Sequence, residues 1–258
     1  MRRGRSLLAG VCTLAALALA AAGCGRQGPA GSDEEPLTVS AAASLAEAFG
    51  RYDEGFEGGS PRFSFAGSDE LAAQIRQGAR PDVYAAANAK LPGALHREGL
   101  VERPVTFTTN ALVLAVPADS EIGALSDLER RGADLVVGSP SVPVGSYTRA
   151  VLSRLGAQRA GRILARVRSQ EPDVKGVVAK LVAGAADAGF VYRSDVVAAG
   201  GRLRALVLPE RLRPQAAYAA AVVRGGDRPE LARRFVAGLR SGRGARILRA
   251  AGFGPPPR

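Results

Sequence analysis

The chain of 258 residues has no tryptophan, and aromatic residues make up only 5% of it. That leaves few ring faces on which bases or sugars could stack, which argues against a nucleic-acid or carbohydrate site. Cysteine is almost absent: Cys12 and Cys24 are the two present, both ahead of the first predicted strand. Everything downstream is therefore expected to fold without a disulfide and without thiol chemistry. There is one histidine, His96, in the helix-end context Leu95-His-Arg-Glu98, read here as a solvated surface residue. Ser44 and Ser68 thus lack a base that could make either a nucleophile, and no Gly-x-Ser-x-Gly or Ser-x-x-Lys pattern occurs. With the carboxylates scattered, one histidine also makes a cation receptor a poor reading. No catalytic residue, cofactor or metal ligand is assigned. Lysine is rare too: of 35 basic residues, Lys90, Lys175 and Lys180 are the lysines. The arginines alternate with apolar residues, as in Arg233-Arg-Phe-Val-Ala-Gly-Leu-Arg240, which fits solvated helix faces better than a nucleic-acid patch.

What is present begins with a leader. Met1-Arg-Arg-Gly-Arg5 is basic, and residues 7–22 are nearly all small and apolar, too short a run for a membrane span. Residues 1–23 are read as a signal peptide. Ala21-Ala-Gly-Cys24 resembles a bacterial lipobox, with Ala21 where leucine is usual, and makes Cys24 the expected lipidated residue. Residues 24–36 form a polar tether behind that anchor. The alternative is ordinary cleavage after Ala22. The formal net charge is +11, and removing the three arginines of the leader leaves about +8, a field that draws small anions.

Hydrophobic content is 47%, enough for sizeable cores. Strand-like and helix-like stretches alternate: strands over 37–41, 62–66 and 82–86, each followed by a helix, then an apolar strand over 111–117. A second block repeats the pattern, with strands over 135–138, 163–167, 188–192 and 206–208 and helices over 145–155, 174–182 and 194–199. A long strand over 217–223 and two helices finish the chain. This is an α/β pattern with mainly parallel sheets flanked by helices. Two blocks joined by two long strands imply two lobes, 37–113 plus 217–258 and 114–216, with the ligand in the cleft between them.

In such sheets ligands bind beyond the carboxyl ends of the strands. Five strand-to-helix turns stand out. Ser44 starts one helix. Phe63-Ser-Phe-Ala-Gly-Ser68 ends with a serine suited to N-capping, or to offering bare N–H groups to an anion. Gly138-Ser-Pro-Ser-Val-Pro-Val-Gly-Ser-Tyr147 and Gln170-Glu-Pro-Asp-Val-Lys175 are two more, and Val191-Tyr-Arg-Ser194 puts a phenol at a strand end. Helix starts of this type, converging from two lobes, suit a small ionised oxyanion.

Ala41-Ala-Ala-Ser-Leu45, Phe63-Ser-Phe-Ala-Gly-Ser68, Gly78-Ala-Arg-Pro-Asp-Val83, Val142-Pro-Val-Gly-Ser-Tyr147, Gly189-Phe-Val-Tyr-Arg-Ser-Asp195 and Gly252-Phe253 together resemble the molybdate-binding proteins of ABC importers. The resemblance covers about residues 37–253. It implies a two-lobed periplasmic-binding-protein fold of type II; with the lipobox, the protein is expected to be exported, monomeric and anchored by lipid to the outer face of the cell membrane, or periplasmic if it is not lipidated. Its partners would be molybdate or tungstate and a permease. It also implies the ligand set: Ser44, Ser68, the backbone N–H groups of Val144 and Val174, and Tyr192. Asn88 and Ser139 depart from the family pattern, where acids are frequent, at positions that are not ligands. A binder of sulfate or another tetrahedral oxyanion is the alternative; a structural or adhesive lipoprotein is a distant one.

Overall fold

The computed structural model describes residues 36–57 and 60–257. The expected leader, Cys12 and Cys24, the expected lipidation site, lie outside the described residues.

β1 (Thr38–Ala42) runs through a 3-10 turn, Ala43–Leu45, into α1 (Ala46–Asp53). β2 (Arg62–Ala66) leads to α2 (Ser68–Arg76), and β3 (Val83–Ala86) to α3 (Lys90–Arg97). β4 (Val105–Pro117) is followed by a short α4 (Asp127–Arg130), β5 (Leu135–Gly138), α5 (Pro143–Ser153) and α6 (Ala157–Leu164). Then come β6 (Val167–Glu171), α7 (Val174–Val182), β7 (Ala188–Tyr192), α8 (Arg193–Ala198) and β8 (Leu203–Val207). A 3-10 turn, Glu210–Leu212, precedes β9 (Gln215–Val222), α9 (Pro229–Gly238) and α10 (Gly242–Ala250).

The strand order is β2-β1-β3-β9-β4-β7-β5-β6, with β8 also on β4. β1 pairs in parallel with β2 and β3, and β5 with β6 and β7, as βαβ connections require. β4 runs antiparallel to its neighbours: its first part, up to Ala111, pairs with β9, and Leu112 to Pro117 pairs with β7 and β8. β4 alone therefore belongs to both halves of the sheet. β9 lies wholly in the first half, between β3 and β4. The return crossing, expected in a long strand, is made instead by the turn ahead of β9.

Two expectations about elements are corrected. The strand expected over 163–167 begins only at Val167, as β6, and residues 163 and 164 are the end of α6. Ile163 is buried there, with Ala160 and Leu164 packed against the same core, a helical spacing that a short apolar reading missed. Arg159 and Arg162, on the other face of α6, both pair with Glu129 of α4. β4 starts six residues early because Val105-Thr-Phe-Thr-Thr-Asn110 is polar but strand-forming. Its buried polar groups are satisfied: Thr108 Oγ1 donates to the Gly254 carbonyl (2.7 Å) and Asn110 Nδ2 to Ser194 Oγ (2.9 Å).

The sheet is covered on both faces. Phe235 of α9 meets Phe49 and Tyr52 of α1 edge-on, at 5.5 and 5.1 Å between ring centres. Truncating so central a ring to alanine costs about 3–5 kcal/mol. On the opposite face of the first half, Leu71 and Ile75 of α2 pack with Tyr84, Leu95 and Val101 in a separate cluster. In the second half Leu114, Val136, Val151, Val177 and Phe190 are buried together. Both clusters press helix starts onto strand ends. His96 is half-buried at the end of α3, not solvated, and its Nδ1 contacts the Val101 carbonyl at 3.1 Å.

Candidate functional site

The five strand ends singled out in the sequence meet around one small cavity of about 20 Å³. Its lining includes all five expected ligand residues: Ser44, Ser68, Val144, Val174 and Tyr192. Each is at least 95% buried. The volume is below the roughly 300–1,000 Å³ of sites for drug-sized ligands, so it suits a small ion better than a sugar or peptide.

Ser44 sits in the 3-10 turn after β1, and its Oγ lies 2.8 Å from Tyr218 Oη. Ser68 is the first residue of α2, not its N-cap; that place is Gly67, and no side chain caps the helix. The capping reading of Ser68 therefore fails. Its Oγ instead accepts the Ala87 N–H (3.1 Å), and its carbonyl accepts from the Tyr84 hydroxyl (2.6 Å). The Ser68 proton and backbone N–H are left to the cavity, since first-turn amides have no acceptor within the helix.

Val144 is the second residue of α5, behind Pro143 at the first position, where proline's missing donor costs nothing. Gly145 makes room. A Cβ on it would fall 1.8 Å from the Ser139 carbonyl, so only glycine lets α5 start directly on the end of β5. Val174 opens α7, and the Asp173 carboxylate caps that helix by accepting the Gly176 N–H at 3.0 Å.

Tyr192 ends β7. Its ring meets those of Tyr218 and Tyr147 edge-on, at 5.7 and 6.5 Å. Its hydroxyl is buried and has no hydrogen-bond partner among the described residues. Burial pushes this phenol well above its ordinary pKa, with Tyr218 and Tyr147 adding to the effect, so it stays a donor. A buried hydroxyl without a partner costs about 1–3 kcal/mol, which a bound acceptor would offset.

The arrangement presents hydroxyls and first-turn amides from several directions, with the positive ends of α2, α5 and α7 nearby. No lysine or arginine lines it. Two contributors were missed in the sequence. Asp173 is on the lining, with its carboxylate turned to the Gly176 N–H of α7; its place ahead of a helix signalled a cap, not a cavity wall. Tyr218 supports Ser44 from an apolar strand, where nothing in the sequence sets it apart from a core residue. The first and second halves also touch across the mouth. A Cβ on Gly67 would fall 2.5 Å from the Pro172 carbonyl.

The chain matches bacterial extracellular solute-binding proteins over residues 37–254. It belongs to that family. The molybdate-binding protein ModA of Mycobacterium tuberculosis H37Rv is 38% identical over 246 residues, covering 90% of this chain and 92% of the relative. The protein of the same name from Escherichia coli K12 is 32% identical, over 98% of each chain. Among solved structures, the periplasmic molybdate-binding protein of Azotobacter vinelandii superposes with a TM-score of 0.77 at 21% identity, over 86% of this chain and all of that one. The sulfate-binding protein SubI of M. tuberculosis H37Rv gives 0.77 at 17% identity, over 86% and 87%. At such identities the structural likeness speaks for fold alone. The fold is the two-lobed one of periplasmic binding proteins: the halves on either side of β4 are lobes, and the cavity lies between them.

Proposed function

We propose that this solute-binding protein captures molybdate or tungstate in the interlobe cavity, outside the cytoplasm, and delivers it to the permease of an ABC importer. The observation that carries the reading is the buried Tyr192 hydroxyl, unpartnered among the described residues and beside Ser44, Ser68 and the α5 and α7 starts on one small cavity. The name of the sequence relatives supports the same ligand. Ser44, Ser68 and Tyr192 would donate hydroxyl protons to the oxyanion, and Val144 and Val174 backbone protons. The reading is of a binding protein, not an enzyme, and needs no cofactor. Attachment to the membrane is assigned to lipid on Cys24, and the working unit to a monomer.

Sulfate is the second reading, favoured by the equal fold likeness to a sulfate-binding protein. The expected order is molybdate and tungstate alike, with sulfate and hydrogen phosphate much weaker. Calorimetric titration with the four anions at neutral pH tests it. Sulfate binding as tightly as molybdate overturns the choice of ligand, and no binding of any of the four overturns the site.

A further inference from the structure

We propose that Tyr218, which does not line the cavity, is a positioning residue for the anion: its hydroxyl donates to Ser44 Oγ and so commits the Ser44 proton to the ligand. The proposal rests on the reading of Ser44 as an anion donor.

Ser44 Oγ and Tyr218 Oη are 2.8 Å apart and buried, so one proton lies between them, supplied by one or the other. If Ser44 supplied it, its lone pairs would face the anion. Ser68 shows the opposite arrangement. The group behind its Oγ is the Ala87 amide, which can only donate, and the Ser68 proton is thereby free for the cavity. Tyr218 does for Ser44 what the Ala87 amide does for Ser68.

Burial keeps Tyr218 protonated far above neutral pH, and the Asp195 charge reinforces this, so the phenol always has a proton to give. A phenol is a stronger acid than an alcohol and the better donor of the two hydroxyls. The bond therefore runs from Tyr218 to Ser44, and Ser44 offers its own proton to the ligand, each bond polarising the next.

The consequence is selectivity by protonation. A fully ionised oxyanion accepts from Ser44. Hydrogen phosphate needs an acceptor for its proton, and Ser44 can become one only by turning its own proton away. Tyr218 blocks that turn.

The test is calorimetric titration of four proteins, wild type, Tyr218→Phe, Ser44→Ala and the double variant, with molybdate and with hydrogen phosphate. Tyr218→Phe keeps the ring contacts with Phe107, Tyr192 and Phe253. Its melting without ligand checks that it folds. The expected results are molybdate binding weaker by about three- to tenfold in Tyr218→Phe and a double variant no weaker than Ser44→Ala. The preference for molybdate over hydrogen phosphate should narrow in Tyr218→Phe. An equal loss from Tyr218→Phe in both backgrounds overturns the proposal, because Tyr218 then acts without Ser44. So does full affinity in Tyr218→Phe while Ser44→Ala is impaired. If Ser44→Ala binds molybdate as wild type does, the role of Ser44 falls first, and that of Tyr218 with it.

Discussion

Lys175 Nζ lies 2.7 and 2.8 Å from the two carboxylate oxygens of Glu47. Glu47 is in the first turn of α1, in one lobe, and Lys175 in the first turn of α7, in the other. The pair therefore spans the cleft beside the cavity. Together with the approach of Gly67 to the Pro172 carbonyl, it defines a structure in which the lobes meet over the binding site. An anion held by donors from both lobes favours this closed form over any parted one.

Both members of the pair are partly exposed, 46% for Glu47 and 32% for Lys175, so the latch is weak. Glu47→Gln is expected to cost about 0.2–1 kcal/mol of molybdate affinity, a loss of up to about fivefold. The loss should shrink in about 1 M salt, where the wild-type pair is screened. Titration at low and high salt checks it; a difference that does not change with salt means the pair does not act through charge.

Gly67 offers a sharper test of closure. Its backbone angles, φ −59° and ψ 135°, suit alanine, so Gly67→Ala should fold and melt normally without ligand. The added Cβ would meet the Pro172 carbonyl only when the lobes are together. Molybdate affinity is expected to fall by about 1–3 kcal/mol, the usual cost of overpacking. Small-angle scattering should then show less compaction on adding ligand than in wild type. Unchanged affinity would mean that the lobes need not approach this closely.

The sequence revealed the site better than it revealed some of the elements that build it. Helix starts after strands carry local signals, namely serines, Pro143 and the caps, and the five turns read from them meet at the cavity, whereas the ligand positions within those turns came from the family resemblance. Gly67 and Gly145 are each required by an atom distant in the fold or across a turn: the Pro172 and Ser139 carbonyls. Such a reason exists only once the chain has folded. Tyr218 was illegible for the same cause, being one ring in an apolar strand until Ser44 is placed against it. The α6 error has a different origin. A five-residue apolar stretch carries no period of its own, and the pairing of Arg159 and Arg162 with Glu129 that marks the outer face is not local.

Tyr192→Phe separates binding from stability by sign. The hydroxyl is buried and unpartnered without ligand, so removing it should leave melting unchanged or raise it slightly. With ligand, the loss of one charge-assisted bond should cost about 1.5–3 kcal/mol of molybdate affinity. Thermal melting with and without molybdate reads both effects. Equal ligand-induced stabilisation in the two proteins would return Tyr192 to a packing role.

Asp195 predicts a pH dependence of stability. Its carboxyl is fully buried; one oxygen accepts the Tyr192 N–H at 3.0 Å and the other has no hydrogen bond. Burial raises its pKa to about 7, with Glu47 and Asp173 adding to the rise. Lys175 opposes it, but stands 4.0 Å away and is held by Glu47. The unfolded chain gives this carboxyl an ordinary value near 3.8. Between the two values the folded protein binds the proton and the unfolded chain does not. Stability from this group is therefore complete below about pH 4 and declines as pH rises towards 7, by at most about 4 kcal/mol. Above that the charge stays buried and the loss is constant. Asp195→Asn can still accept the Tyr192 N–H and carries no charge. It should flatten the decline between pH 5 and 7.5 and melt higher than wild type at pH 8. Denaturant melts across that range check it. A wild-type slope that survives in Asp195→Asn would assign the titration to another group.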